Sequence, residues 1–176
     1  MPSNAISPPS PDEYGAAYAG YIAHVPVGAD ILDLLARQQT STRTRLASVP
    51  DGKAGHRYAP GKWTVAEVLV HLGDVERIMA YRALRVARGD TTPLPGFDEN
   101  AYAPESNAGA HPLSVLAEAL HDVRQATLSL FRLLPDEAWT RRGTASNAPV
   151  TPRALAWIIA GHERHHLSVL AERYGA

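Results

Sequence analysis

The chain has 176 residues, 45% hydrophobic and 20% charged, enough for one domain with a sizeable core. Lys plus Arg number 17 and Asp plus Glu 18, so the net charge of −1 argues against nucleic acid or an anionic membrane as a partner. Cysteine is absent, which excludes disulfides, thiolate ligands and a cysteine nucleophile, and leaves His, Asp, Glu or water to hold any metal.

The first residues, Met1-Pro2-Ser3-Asn4-Ala5-Ile6, have no basic start and no apolar run, so no secretory signal is read there. No run of 18 apolar residues predicts a membrane span, and a cytoplasmic location is expected. Residues 1–10, rich in Pro and Ser, are expected to form a flexible arm, and residues 11–176 a single domain. A short helix is predicted over about 12–23, with Tyr14, Tyr18 and Tyr21 on one side, broken by Val25-Pro26-Val27-Gly28. The first long helix should begin near Asp30, turn Ile31, Leu34, Leu35 and Leu46 inward, and end at Val49-Pro50-Asp51-Gly52. The second should start at Thr64, where Glu67 completes a capping box, and run to about Arg88. Residues 89–111, punctuated by Pro and Gly, read as a long connection of the kind that often carries function.

A third helix is predicted over about 112–134 from the spacing of Leu113, Leu116, Leu120, Thr127, Phe131 and Leu134. Residues 139–150 read as a polar loop. The fourth helix should start after Thr151, with Pro152 at its first position, and continue to about Tyr174. Four amphipathic helices without a convincing alternating strand pattern predict an all-α fold, an up-down four-helix bundle with a long connection between the second and third helices.

On the fourth helix each residue advances about 100°. With Leu155 at the centre of the apolar stripe, His162 and His166 fall within about 20° of it on either side, one turn apart. Two bare imidazoles in a core would leave polar nitrogens without partners, at about 1–3 kcal/mol per group. A metal ion removes that cost and accounts for the spacing. A third ligand is then needed, and His71, on the flank of the second helix's apolar stripe, is the candidate. His24, His56, His111 and His121 are left out, His121 because its wheel position predicts exposure. His165 lies at the edge of the stripe, where it can line a pocket or bond an outer group.

His162-Glu163-Arg164-His165-His166 also satisfies H-E-x-x-H, in which two histidines bind zinc and the Glu acts as general base. Leu167-Ser168-Val169-Leu170 supplies neither the Gly nor the third His of one protease class. The ten residues after His166 leave no room for the distant Glu of another. In the competing reading Glu163 is a flanking residue that bonds a ligand or is solvated.

Three segments together resemble the DinB-like (DinB/YfiT) family of metal-binding four-helix bundles, over about Tyr21 to Tyr174. They are the run from Tyr58 to Leu72 containing Pro60-Gly61-Lys62-Trp63-Thr64, the loop Leu94-Pro95-Gly96-Phe97-Asp98-Glu99-Asn100-Ala101-Tyr102, and the His162–His166 motif. The resemblance implies one divalent metal, zinc or nickel, on His71, His162 and His166, with water at the open positions. It also implies a small-molecule substrate, in some members used with a low-molecular-weight thiol, and a homodimer.

Two functions stay open. A three-His site with open positions suits an enzyme of thiol-dependent transferase or hydrolase type, since structural zinc sites are closed by four protein ligands. The alternative is a non-catalytic module in which the metal ties two helices together. Asp98, Glu99 and Tyr102 could cover the mouth of a pocket or form a solvated loop. Arg164 and Arg173 are expected to be surface charges.

Overall fold

Side-chain caps set where three of the four long helices begin in the computed structural model, which describes residues 6–176. A short helix α1 (Ala19–Ile22) comes first. Asp30 accepts from the backbone N–H groups of Leu32 and Asp33 and opens α2 (Ile31–Ala47). Thr64 accepts from the Glu67 N–H at 3.1 Å while Glu67 accepts from the Thr64 N–H at 2.7 Å, the predicted capping box, and α3 (Val65–Ala87) follows. Beyond it come α4 (Glu99–Glu105) and α5 (Leu113–Arg132). Strands β1 (Gly143–Ala145) and β2 (Ala148–Val150) form an antiparallel hairpin. Thr151 then accepts from the Ala154 N–H at 3.1 Å and starts α6 (Pro152–Val169), which ends in a π-helical turn, Leu170–Tyr174.

The four long helices α2, α3, α5 and α6 form the expected bundle. In the bundle, α2 packs on α5 and α6, and α3 packs on the same two, so the order around the ring is α2, α5, α3, α6. The chain-consecutive α2 and α3 therefore stand diagonally, which puts α3 directly against α6.

Three segments differ from the sequence reading. The short helix over 12–23 is broken into 3₁₀ turns, Pro11–Glu13 and Ala16–Tyr18, before α1, because Pro11 starts one turn and Gly15 is extended between them. The connection over 89–111 contains α4, which Asp98 caps by accepting from the N–H groups of Asn100 and Ala101. The loop over 139–150 holds the hairpin; strands of three residues are too short for alternation to register in sequence. Of the arm expected over 1–10, residues 1–5 lie outside the described residues. Ile6 packs against the core, and Ser7 accepts from Arg153 at 2.8 Å.

The bundle interior is layered. One apolar cluster includes Leu35, Met79, Phe131 and Ile158; a second includes Leu46, Leu69, Leu116 and Leu170. Between them each long helix contributes polar side chains: Gln38 and Thr42 from α2, His71 and Glu76 from α3, Arg124 from α5, and His162, Glu163 and His166 from α6. Arg124, 2% exposed, donates to both oxygens of Glu76 at 2.7 and 2.8 Å, to Glu163 at 2.5 Å, and to the Leu35 carbonyl at 3.1 Å. Thr42 completes the network by donating to the other Glu163 oxygen. Hydrogen bonds thus link all four helices at one level. Removing one partner of such a buried pair leaves an uncompensated charge, at a cost of about 3–5 kcal/mol.

Candidate metal centre

Two turns of α6 and one position of α3 meet beside this charged network. His162 and His166 lie one turn apart on α6, their ring centroids 4.5 Å apart. His71, from the neighbouring α3, has its ring centroid 4.9 Å from each of them. Its Nε2 lies 3.0 Å from Nε2 of His162. One ring nitrogen from each of the three lies within 4.8 Å of the other two. The structure brings together the three histidines that the sequence singled out.

Protons are held off these rings. Burial drives His162 well below the ordinary histidine value, and His166 and His71 beside it add to the effect. Burial takes His71 to about 4, partly opposed by the nearby Glu99 carboxylate. His166 falls to about 3 for the same first reason, with His71 and His165 contributing. At neutral pH the cluster therefore presents neutral imidazoles, the form that binds a cation. Two Nε2 atoms 3.0 Å apart can share a single hydrogen bond at best. A divalent ion would use both nitrogens together with that of His166. The donor set, three imidazoles and no thiolate, suits a divalent transition metal and would leave coordination positions free.

Neighbouring elements hold the rings in place. Trp63, just before the α3 cap, lies with its ring centroid 4.6 Å from that of His71. Tyr21 of α1 meets His162 edge-on at 5.0 Å and His165 at 5.4 Å. This contact depends on Gly161: a Cβ there would overlap the Tyr21 carbonyl, so only glycine lets α1 lie directly on α6. Arg164, exposed as expected, donates from Nε to the His24 carbonyl at 2.7 Å and ties down the end of α1.

The cluster stands between two cavities. One, of about 260 Å³, is lined by His71, His162, Tyr18, Tyr21, Glu99 and apolar side chains including Val75, Met79, Phe97 and Ile158. The other, of about 290 Å³, is lined by His165, His166, Tyr58, Lys62, Trp63 and Tyr174 among others. His165 is half-buried and faces this second space, between the rings of His24 and His166.

The remaining candidates divide. Glu99 lines the first cavity, whereas Asp98 is occupied in capping α4 and Tyr102 is exposed against Phe97. Arg173 is exposed. Glu163 is neither solvated nor bonded to any of the three histidines. It is 3% exposed and both its oxygens are taken by Arg124 and Thr42. Its wheel position, about 80° from the stripe centre, placed it on a flank; there α2 presents Thr42, and the long Arg124 side chain reaches it across the bundle interior from the diagonal α5. His121, expected to be exposed, is half-buried with a buried Nδ1 that has no partner, because α2 covers it: Gln39 donates to its carbonyl at 3.1 Å. Glu118, His121 and Asp122 also cluster, but on an outer face where Glu118 already pairs with Arg43 at 2.9 Å.

Sequence reasoning passed over Trp63, Met79 and Ser146 as parts of the site, and Glu76 and Arg124 as its neighbours. The last two were visible as charges on apolar stripes. Glu76 falls four residues after Leu72 and three before Met79, and Arg124 four after Leu120 and four before Leu128.

Comparison with known proteins is consistent with this geometry. The sequence profile of the DinB superfamily matches residues 34–170. A protein of Oceanobacillus iheyensis, OB0413, whose name assigns it by inference to the metal-dependent hydrolases, is 26% identical over 125 residues, covering 69% of this chain and 70% of that relative. YfiT from Bacillus subtilis, described as a probable metal-dependent hydrolase with an unusual four-helix bundle topology, superposes with a TM-score of 0.66 at 20% identity, over 86% of this chain and 93% of that one. A mycothiol-dependent maleylpyruvate isomerase superposes with a TM-score of 0.63 at 17% identity, over 84% of this chain and 61% of the isomerase. At these identities the two structures speak to the fold alone.

Proposed function

The chain belongs to the DinB superfamily, and from that premise we propose that it is a metal-dependent enzyme acting on a small molecule, of hydrolase or thiol-dependent transferase type. The observation that carries this reading is the meeting of His71, His162 and His166, with nitrogens of two helices 3.0 Å apart between two cavities. In it, these three residues hold one divalent ion, zinc or nickel. Such an ion supplies Lewis acidity and lowers the pKa of a bound water or thiol. The protein's own part is to exclude bulk water, to keep the imidazoles unprotonated, and to orient a substrate with Tyr18, Tyr21 and Glu99 around the first cavity.

The arrangement favours catalysis over a purely structural metal. The bundle is already linked at this level by Thr42, Glu163, Arg124 and Glu76, so an ion is not needed to hold α3 to α6. A structural site would also be closed by a fourth protein ligand, and none of the described residues completes one. Occupation of Glu163 by Arg124 disfavours the H-E-x-x-H protease reading, in which that carboxylate must reach a bound water.

The test is turnover by protein loaded with zinc or nickel, against carboxylic and phosphoric esters, amides, and an electrophile offered with a small thiol. Metal-dependent turnover that disappears in His71→Ala supports the enzyme. If no substrate turns over and removal of the ion unfolds the chain, the structural alternative stands instead. A cytoplasmic homodimer belongs to the same proposal. Tyr81 and Leu84, exposed on the outer face of α3, border an apolar groove with α5 of about 610 Å³ that a second copy could cover. Sedimentation equilibrium tests that part. Among the described residues, no helix is long and apolar enough to cross a membrane.

A further inference from the structure

Arg82 of α3 is a buried cation without a counter-charge. It is 2% exposed, and among the described residues no carboxylate pairs with it. Its partners are neutral: Nη2 donates to the Pro95 carbonyl at 2.7 Å and to Ser146 Oγ at 2.9 Å, Nη1 approaches Met79 sulfur at 3.7 Å, and the guanidinium lies 5.7 Å from the Phe97 ring centroid. A buried charge ordinarily has an opposite charge beside it. Arg124, at the same burial, has two carboxylates.

The surroundings of Arg82 are not random. Met79, Phe97 and Ser146, three of the groups it touches, all line the 260 Å³ cavity that contains His71 and His162. Nor is the guanidinium needed to fasten the 94–96 segment to the hairpin, since the Leu94 N–H already donates to the Thr144 carbonyl at 2.9 Å and the Ser146 N–H to the Leu94 carbonyl at 3.0 Å.

Ser146 itself is held in an uncommon conformation. It and Asn147 form the two-residue turn between β1 and β2, with φ of 51° and 60°. Both positions need the left-handed region, where Gly, Asn and Asp are the favoured residues. Serine there sacrifices turn stability, and its hydroxyl is what glycine would lack. With its oxygen accepting from Arg82, its own hydrogen is left to donate into the cavity.

We propose that this cavity binds a small carboxylate with an apolar body. The Ser146 hydroxyl, polarised by Arg82, receives the carboxylate, and Val75, Met79, Phe97 and Ile158 enclose the apolar part. Glu99 is the single carboxylate among the cavity's lining residues, and it excludes the anionic end from its own side of the cavity, beside His71. The ligand is thereby oriented with its anionic end at the hairpin and its body pointing toward the three histidines. This assignment rests on the enzyme reading only for the cavity's role, because none of Arg82, Ser146, Met79 and Phe97 is a candidate metal ligand.

Metal-free full-length protein, titrated calorimetrically with benzoate and with benzamide, provides the test. Wild type should bind benzoate at least about tenfold more tightly than benzamide. Ser146→Gly, which removes the hydroxyl and relieves the turn, and Arg82→Gln should each abolish that preference. Because Arg82 is buried its variant can fail to fold, and the exposed Ser146 position then decides the matter alone. The zinc content of wild type and of His71→Ala is measured alongside, as the separate test of the metal reading. Equal binding of the two probes, no measurable benzoate binding by wild type, or a preference that survives in Ser146→Gly overturns the assignment. None of those results bears on the zinc content of His71→Ala, so this inference and the metal reading fail separately.

Discussion

Glu163→Gln separates a structural carboxylate from a catalytic one. In the native chain Glu163 accepts from Arg124 at 2.5 Å and from Thr42, inside the layer between the two apolar clusters. A hydrogen bond to a charged group contributes about 1.5–3 kcal/mol and a neutral one about 0.5–1.5 kcal/mol. Glutamine has nearly the same shape, can still accept from Arg124, and can donate to Thr42. Arg124 also keeps both of its bonds to Glu76. The expected loss is the difference, about 1–2 kcal/mol. At about 2–4 °C per kcal/mol for a chain of this size, Tm should fall by about 2–8 °C. Bound metal should stay at the wild-type level, and turnover of any substrate that the wild type accepts should change only a few-fold. Removal of a general base costs about 10²–10⁴ in rate. Calorimetry, metal content and steady-state kinetics on the same preparation distinguish the cases. A hundredfold fall in kcat with Tm and metal unchanged would refute the structural assignment and restore the protease-like role of Glu163.

Gly161→Ala places a methyl group against the Tyr21 carbonyl, so α1 must move. Overpacking of this kind costs about 1–3 kcal/mol, or about 2–12 °C in Tm, and NMR should show the His162 ring resonances shifting as Tyr21 leaves it. Removing the metal should leave the far-UV circular dichroism at 25 °C unchanged. Zinc restored at a hundredfold excess over Kd should raise Tm by about 5–11 °C, from about 2.7 kcal/mol of linkage; unfolding on chelation alone would contradict the independence of the Arg124 network. Metal-free protein should lose stability in acid. His71 and His166 sit at about 4 and 3 when folded, below the ordinary 6.5, so the unfolded chain takes up protons first as pH falls. Their contribution is complete above about pH 6.5 and declines from there toward pH 3. A Tm that is flat across that window would show the rings to be solvated.

The long helices were legible because their signals are local. Thr64 with Glu67, Thr151 with Pro152, and Asp30 each mark a start that depends on neighbours within four residues. His162 and His166 were legible because 3.6-residue periodicity puts both on an apolar stripe, where imidazole is out of place. What the sequence withheld was lateral. Whether Glu163 faces water or a guanidinium depends on Arg124 reaching it across the bundle interior from the diagonal α5, and the ring order that determines this is a tertiary property. Arg82 and Ser146 are 64 residues apart and meet only because the hairpin folds back over α3. The hairpin was hidden for a different reason: its strands are three residues long, and its turn uses Ser146 and Asn147 in place of the Asn-Gly pair that signals such turns.

The claim that His71, His162 and His166 share one ion is tested most directly by elemental analysis. Wild type, His71→Ala, His162→Ala and His166→Ala would each be saturated with zinc or nickel and then desalted. The account predicts about one ion per wild-type chain and a small fraction of that in every variant, each still helical by circular dichroism. Full retention of the ion by any one of the three variants would remove that histidine from the site and break the centre as described.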